Sequence, residues 1–262
     1  DLFVVNYLEF GPAAALPRAR FQGTEVMGGP RGLVPQADVV YENVGGGRFV
    51  DRTEDWGVVP RSAGLGLNLV IVDLDGDGTR EVVVGNDSNP NHVWRRASTA
   101  GPVRFRDVGL ATGLATNADG SPQATMGYGL ADVNGDGWPD LFSTNFSSDT
   151  NTLHLSVGPD YHDDATRRHG LGIVSRPFLG WACWFADWDH DGDEDVLALN
   201  GHEDPEATPE LMDSTWRQPP LLFARVGDRF ERVEPGPAAA DAWLATPRLD
   251  RAAAFGDLDG DG

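Results

Sequence analysis

The chain has 262 residues, 40% of them hydrophobic, enough for one substantial folded domain. Its 33 Gly and 18 Pro, spread between short apolar runs, suit many strands joined by tight turns rather than long helices. With 41 Asp and Glu against 20 Lys and Arg, the formal charge of -21 repels nucleic acid and anionic lipid, and no stretch is apolar enough to cross a membrane.

The predicted elements recur along the chain. Asp1 leads into Leu-Phe-Val-Val-Asn6 and reads as the last position of an acidic loop whose earlier residues lie upstream. A Pro/Gly/Ala-rich insertion, 8–36, separates this strand from Asp38–Asn43 and Arg48–Asp51, giving a unit at 1–63 that lacks its first strand. In the unit 64–126, the run Leu67–Val72 precedes the loop Asp73-Leu-Asp-Gly-Asp-Gly-Thr-Arg-Glu81; strands then end at Asn86, Arg95 and Asp107. In the unit 127–178, Tyr128–Ala131 precedes Asp132-Val-Asn-Gly-Asp-Gly-Trp-Pro-Asp140 and a strand to Asn145. In the unit 179–251, the loop is Asp187-Trp-Asp-His-Asp-Gly-Asp-Glu-Asp195, followed by a strand to Asn200, a long linker at 202–220 and a strand at Arg229–Arg232. The segment 252–262 begins a further unit and reaches Asp257-Leu-Asp-Gly-Asp-Gly262. Four short strands per unit of this length are the organisation of a β-propeller blade, whose small sheet buries both faces only against neighbouring blades. The expected fold is therefore all-β: a propeller fragment of four-stranded blades, with calcium-binding loops between the first and second strands.

The loops carry the chemistry. Calcium takes six to eight oxygen ligands, and side chains at positions 1, 3 and 5 of a curled loop can converge on one ion while Gly at position 6 turns the chain. Position 7 offers a backbone oxygen and position 9 a closing carboxylate. The expected ligands are Asp73, Asp75, Asp77, Thr79 and Glu81; Asp132, Asn134, Asp136, Trp138 and Asp140; and Asp187, Asp189, Asp191, Asp193 and Asp195. Asp257, Asp259 and Asp261 form a fourth, truncated site. The 187 loop, with Asp at positions 1, 3, 5 and 9, is the strongest, and His190 is a turn residue. No Cys or paired His accompanies the carboxylates, which argues against zinc. Residues at position 12 (Val84, Ser143, Ala198) and β-type flanks argue against an EF-hand, and the length of the units argues against a calcium-binding β-roll. Three bound ions would move the formal charge from -21 to about -15.

These repeats resemble the FG-GAP/VCBS repeats of the integrin α-subunit N-terminal propeller superfamily, and within it the ASPIC/UnbV (cartilage acidic protein-like) branch. The resemblance is carried by Val39-Val-Tyr-Glu-Asn-Val-Gly-Gly-Gly-Arg-Phe-Val-Asp-Arg-Thr53, by Met126-Gly-Tyr-Gly-Leu-Ala-Asp-Val-Asn-Gly-Asp-Gly137, by Asn200-Gly-His-Glu203 and by Gln218-Pro-Pro-Leu-Leu-Phe223. It implies a calcium-loaded propeller, seven-bladed in typical relatives, in an extracellular, periplasmic or cell-surface setting. The insertion 8–36 and the linker 202–220 depart from the tighter repeats.

An interaction or adhesion scaffold for a protein or glycan is the first functional expectation, without nucleic acid and without direct membrane insertion. Part of a carbohydrate-processing enzyme, a lyase or dehydratase built on such a propeller, is the alternative. His154 and His162, beside Asp160, Asp163 and Asp164, read as a solvated loop, and His202 with Glu203 as a blade corner or a group facing the centre. Trp181, Trp184 and Trp188 read as core or interblade packing, and the single cysteine, Cys183, as a small buried hydrophobe.

Overall fold

The computed structural model describes residues 1–10, 18–30, 32–60, 64–237 and 242–256. The described chain is an all-β arrangement of antiparallel sheets. The first sheet has three strands in the order β1 (Leu2–Val4), β4 (Val39–Gly45), β5 (Arg48–Asp51), and between β1 and β4 the chain makes a separate hairpin of β2 (Arg18–Phe21) and β3 (Thr24–Met27). Three four-stranded sheets follow, each in simple sequential order. They are β6 (Gly66–Val72), β7 (Glu81–Asn86), β8 (His92–Arg96) and β9 (Phe105–Asp107); β10 (Thr125–Ala131), β11 (Asp140–Asn145), β12 (Thr152–Ser156) and β13 (His162–Asp164); and β14 (Gly180–Ala186), β15 (Asp195–Asn200), β16 (Leu221–Val226) and β17 (Arg229–Arg232).

Sequence pattern accounts for this order. The second strands β7, β11 and β15 are buried at every position, which explains why they read as continuous runs rather than alternating ones. Each pair of neighbouring sheets shares its own core. Val40, Val82, Val84 and Trp94 fill the first interface, Leu74, Val83, Val93 and Leu141 the second, and Phe142, Leu153, Phe185 and Phe223 the third. No sheet could bury both faces alone, so stability is shared between neighbours. Cys183 belongs to the third core, where burial pushes its thiol up to about 12; it is an inert hydrophobe.

One expectation gains detail and two need correction. The insertion 8–36 contains the β2–β3 hairpin, closed by Gln22 and Gly23, both at positive φ, as a two-residue hairpin turn favours. Its base is tied by the Glu9 N–H to the Val34 carbonyl at 2.8 Å. Second, His154 and His162 are not on a solvated loop: they lie on β12 and β13, 3% and 1% exposed. Each ring hydrogen-bonds a carbonyl, His154 Nε2 to Thr116 and His162 Nε2 to Pro139, and burial lowers both pKa values. Third, Trp188 is 41% exposed, its ring 6.0 Å from that of Phe255, whereas its counterparts at loop position 2, Leu74 and Val133, are buried core residues. Trp94 is the fully buried tryptophan.

The first strands β10 and β14 approach closely, and Gly127 makes that possible. A methyl group there would lie 2.0 Å from the Trp181 carbonyl oxygen, backbone that cannot swing aside. The Thr144 hydroxyl, on β11, donates to the same carbonyl. Gly127→Ala is expected to cost about 3 kcal/mol or more, or to prevent folding, while Gly256→Ala, in open space, leaves stability within about 0.5 kcal/mol; urea unfolding of the two variants measures the difference.

Candidate metal centre

The three complete acidic loops occupy one place in the fold: the β6–β7, β10–β11 and β14–β15 turns, between the first and second strand of each four-stranded sheet. Their shared geometry begins in the backbone. Position 6 is left-handed in all three, at Gly78, Gly137 and Gly192 (φ +83°, +87° and +94°). Position 4 is left-handed as well, at Gly76, Gly135 and His190, so His190 takes a conformation that a side chain opposes.

Those two turns fold the position 1 carboxylate over the loop. Asp73 Oδ2 accepts from the Gly78 N–H at 3.0 Å, Asp132 Oδ2 from Gly137 at 2.8 Å and Asp187 Oδ2 from Gly192 at 3.0 Å. The position 3 side chain accepts from the position 5 N–H, and the position 5 carboxylate from the position 7 N–H of Thr79, Trp138 or Asp193. The Trp138 ring also reaches the neighbouring loop, 3.1 Å from where a Gly76 side chain would begin.

Two loops gather a trio of acidic groups whose ligand atoms lie within 4.8 Å of one another: Asp73, Asp75 and Glu81, and Asp187, Asp189 and Asp195. These are positions 1, 3 and 9. In the 132 loop position 3 is Asn134, so its equivalent set holds two carboxylates, Asp132 and Asp140, and an amide. Asp73 Oδ1 is buried without a hydrogen-bond partner among the described residues, as an oxygen awaiting a cation would be. The donor set is all oxygen, and crowding raises the pKa of Asp189, through desolvation first and then Asp191 and Asp195. These features fit a hard cation. Asp257, Asp259 and Asp261 lie outside the described residues.

Position 9 does more than the spacing suggested. Glu81, Asp140 and Asp195 are each 2% exposed or less. One oxygen of each accepts from the position 2 N–H: Leu74 at 2.9 Å, Val133 at 2.8 Å and Trp188 at 3.0 Å. The other oxygen reaches the third strand. Asp140 accepts from the Ser156 N–H at 2.7 Å and Asp195 from the Arg225 N–H at 2.8 Å; Asp1 makes the same bond to the Asn43 N–H at 2.9 Å. Glu81, one methylene longer, instead takes the Arg95 side chain at 3.2 Å. Arg95 also lies 3.3 Å from Asp75 and 3.2 Å from Asp160, so the 73 loop carries an internal cation that the other two complete loops lack among the described residues. Nothing in the loop pattern announces it, because Arg95 sits 14 residues beyond Glu81 on β8.

A second repeated device sits at the other end of the sheets. The asparagines that close the second strands each donate a side-chain N–H to a carbonyl at the entrance to the third: Asn6 to Ala37, Asn86 to Pro90, Asn145 to Thr150 and Asn200 to Pro219, at 2.7 to 2.9 Å. In three units the residue just before the third strand answers, Asp38, Asn91 and Asn151 accepting the N–H of Asn6, Asn86 and Asn145. His202 lies at this end, its Nε2 3.2 Å from Ser147 Oγ, and lines a cavity whose described lining does not include His154 or His162. The histidines considered for catalysis are therefore not assembled.

Residues 132–198, which hold two of the loops, match the FG-GAP-like repeat family. Cartilage acidic protein 1 of Homo sapiens is 29% identical over 167 residues, 62% of this chain and 24% of that protein. The Mus musculus protein of the same name is 28% identical over 167 residues, and that of Xenopus tropicalis 27% over 166. This chain thus spans about a quarter of the length of the relatives it matches.

Two expected outcomes test this geometry without any bound ion. Burial, opposed by hydrogen bonds from backbone N–H groups, raises Asp38 and Asp140 from 3.8 to about 6. Folding then binds protons, so the stability these groups carry at acid pH is lost as pH rises through 6. In chelator, stability should fall by roughly 1–3 kcal/mol from pH 4.5 to 7. Asp38→Asn, which keeps the acceptor for Asn6, should flatten part of that slope in urea titrations. Arg95→Gln, in chelator, should cost roughly 2–3 kcal/mol by stranding Glu81, and a loss under 0.5 kcal/mol would deny Arg95 its neutralising role.

Proposed function

We propose that this chain is part of a calcium-binding β-propeller that works outside the cytoplasm as a non-catalytic scaffold for a protein or glycan partner. Each four-stranded sheet is then a blade, with 1–63, 64–126, 127–178 and 179–251 as successive units and 252–262 opening the next. The observation that carries this reading is the pair of carboxylate trios in equivalent hairpins, each within 4.8 Å. Calcium fits them because every donor is oxygen and the loops supply five of them, more than magnesium ordinarily takes from protein. The ligands are Asp73, Asp75, Asp77, Glu81 and the Thr79 carbonyl; Asp132, Asn134, Asp136, Asp140 and the Trp138 carbonyl; and Asp187, Asp189, Asp191, Asp195 and the Asp193 carbonyl. Asp257, Asp259 and Asp261 begin a fourth site.

Open, solvent-facing loops of this type suit the calcium-rich conditions outside a cell, where extracellular modules bind in the 10⁻⁴ to 10⁻³ M range, to order of magnitude. Among the described residues no helix is long and apolar enough to cross a membrane. The similarity to cartilage acidic protein 1 is consistent with a non-catalytic role.

Calorimetric titration of the folded, chelator-stripped chain with calcium tests the proposal. Asp189→Asn should weaken binding at the 187 loop about tenfold and leave chelated stability nearly unchanged, because Asp189 is exposed. Asp195→Asn should lower both, since Asp195 also holds Trp188 and Arg225. A folded chain that releases no heat with calcium and gains no thermal stability from it would remove the metal, and with it the reason to place the protein outside the cytoplasm.

A further inference from the structure

We propose that the cavity at the asparagine end of the sheets binds a small organic ammonium compound with an apolar body. The cavity measures about 650 Å³, within the usual size for ligand sites. It lies where the segments following β1, β7, β11 and β15 meet, and the β2–β3 hairpin contributes Val26 and Met27 to its wall. The Gln22 side chain, at the hairpin's turn, reaches the Leu211 carbonyl at 3.5 Å, so the hairpin bridges toward the segment after β15.

The lining has two faces. Leu67, Met126, Phe146 and Trp181 offer an apolar, aromatic surface, while Asp87, Asp149, Glu203 and Asp204 bring four carboxylates against Arg20 in the lining and Arg251 stacked on Trp181. Asp87 is 8% exposed and held as an acceptor, with the Tyr7 hydroxyl donating to Oδ2 at 2.6 Å and Ser88 to Oδ1 at 2.8 Å. Glu203 is half-buried and makes no hydrogen bond or ion pair among the described residues; desolvation, then Asp87 and Asp204, raise its pKa, only partly offset by the charge of Arg251. His202 adds no positive charge: its Nδ1 accepts the Asp204 N–H at 3.0 Å, and burial lowers its pKa.

Charge and shape together select the ligand. A cation relieves the repulsion among Asp87, Glu203 and Asp204, which a neutral sugar cannot do. A bare metal ion would leave the apolar face unused. The site already tolerates a cation on its aromatic wall, since the Arg251 guanidinium stacks 4.6 Å from the Trp181 ring while donating to the Gly201 and His202 carbonyls. The acidic loops lie at the opposite end of the sheets, so this site stands or falls independently of calcium.

Calorimetry in saturating calcium, with 2-phenylethylammonium as the probe, tests the assignment. One equivalent should bind at least tenfold tighter than 2-phenylethanol or 3-phenylpropionate. Glu203→Gln should weaken the ammonium about tenfold with unchanged thermal stability. Ser88→Lys, which tethers an amine at the exposed rim beside Asp87, should block it and decides the matter if Glu203→Gln fails to fold. Equal binding of the alcohol, tighter binding of a methyl glycoside, or no heat from the amine up to about 10 mM would overturn the proposal. So would an affinity unmoved by either substitution.

Discussion

A buried carboxylate at the start of the second strand of each four-stranded sheet ties three parts of the chain together. One oxygen fixes the acidic loop through the N–H of position 2; the other fixes the third strand, directly in the sheets of Asp140 and Asp195 and through Arg95 in that of Glu81. Such charge-assisted bonds contribute about 1.5–3 kcal/mol each, and losing one would leave a buried group unsatisfied. The trio of positions 1, 3 and 9 converges because position 9 cannot move and position 1 is folded over it by two left-handed residues. The candidate metal trio and sheet integrity therefore share a residue, and a cation bound there would also tighten the strand behind it.

The difference between Glu81 and its aspartate counterparts follows from the same constraint. The longer side chain meets the guanidinium of Arg95 on β8, which also faces Asp75. That loop is partly neutralised from within, whereas the 187 loop has no such partner among the described residues, so any neutralising cation there would have to come from solvent.

Much of the fold was legible in the sequence because it repeats. Acidic loops, the strands that flank them and the Arg-Phe-containing fourth strands were readable from residue type and spacing, since Asp and Gly at alternate positions and β-branched runs have few other uses. What escaped was whatever depended on partners distant in the chain. Asn86, Asn145 and Asn200 were visible as a repeat, but their role as clamps needs the carbonyls of Pro90, Thr150 and Pro219. His154 and His162 looked like turn residues because Gly158, Pro159 and Asp160 precede His162; pairing of β12 with β13 buries both rings. Arg95 looked like one scattered arginine among many.

The two ends of each sheet consequently carry different chemistry on one scaffold. At the hairpin end, backbone curvature presents oxygen atoms to solvent, and the code is local, contained in nine residues. At the asparagine end, the clamps hold short segments from successive sheets around a shared space, and the code is distributed over the whole chain. A local code tolerates substitution one loop at a time, as Asn134 and Glu81 show. A distributed one permits Tyr7, Asp87, Phe146 and Glu203 to diverge freely in type while the asparagine clamps keep their positions. The ligand site proposed for the cavity accordingly falls at the end where side chains vary and the backbone does not.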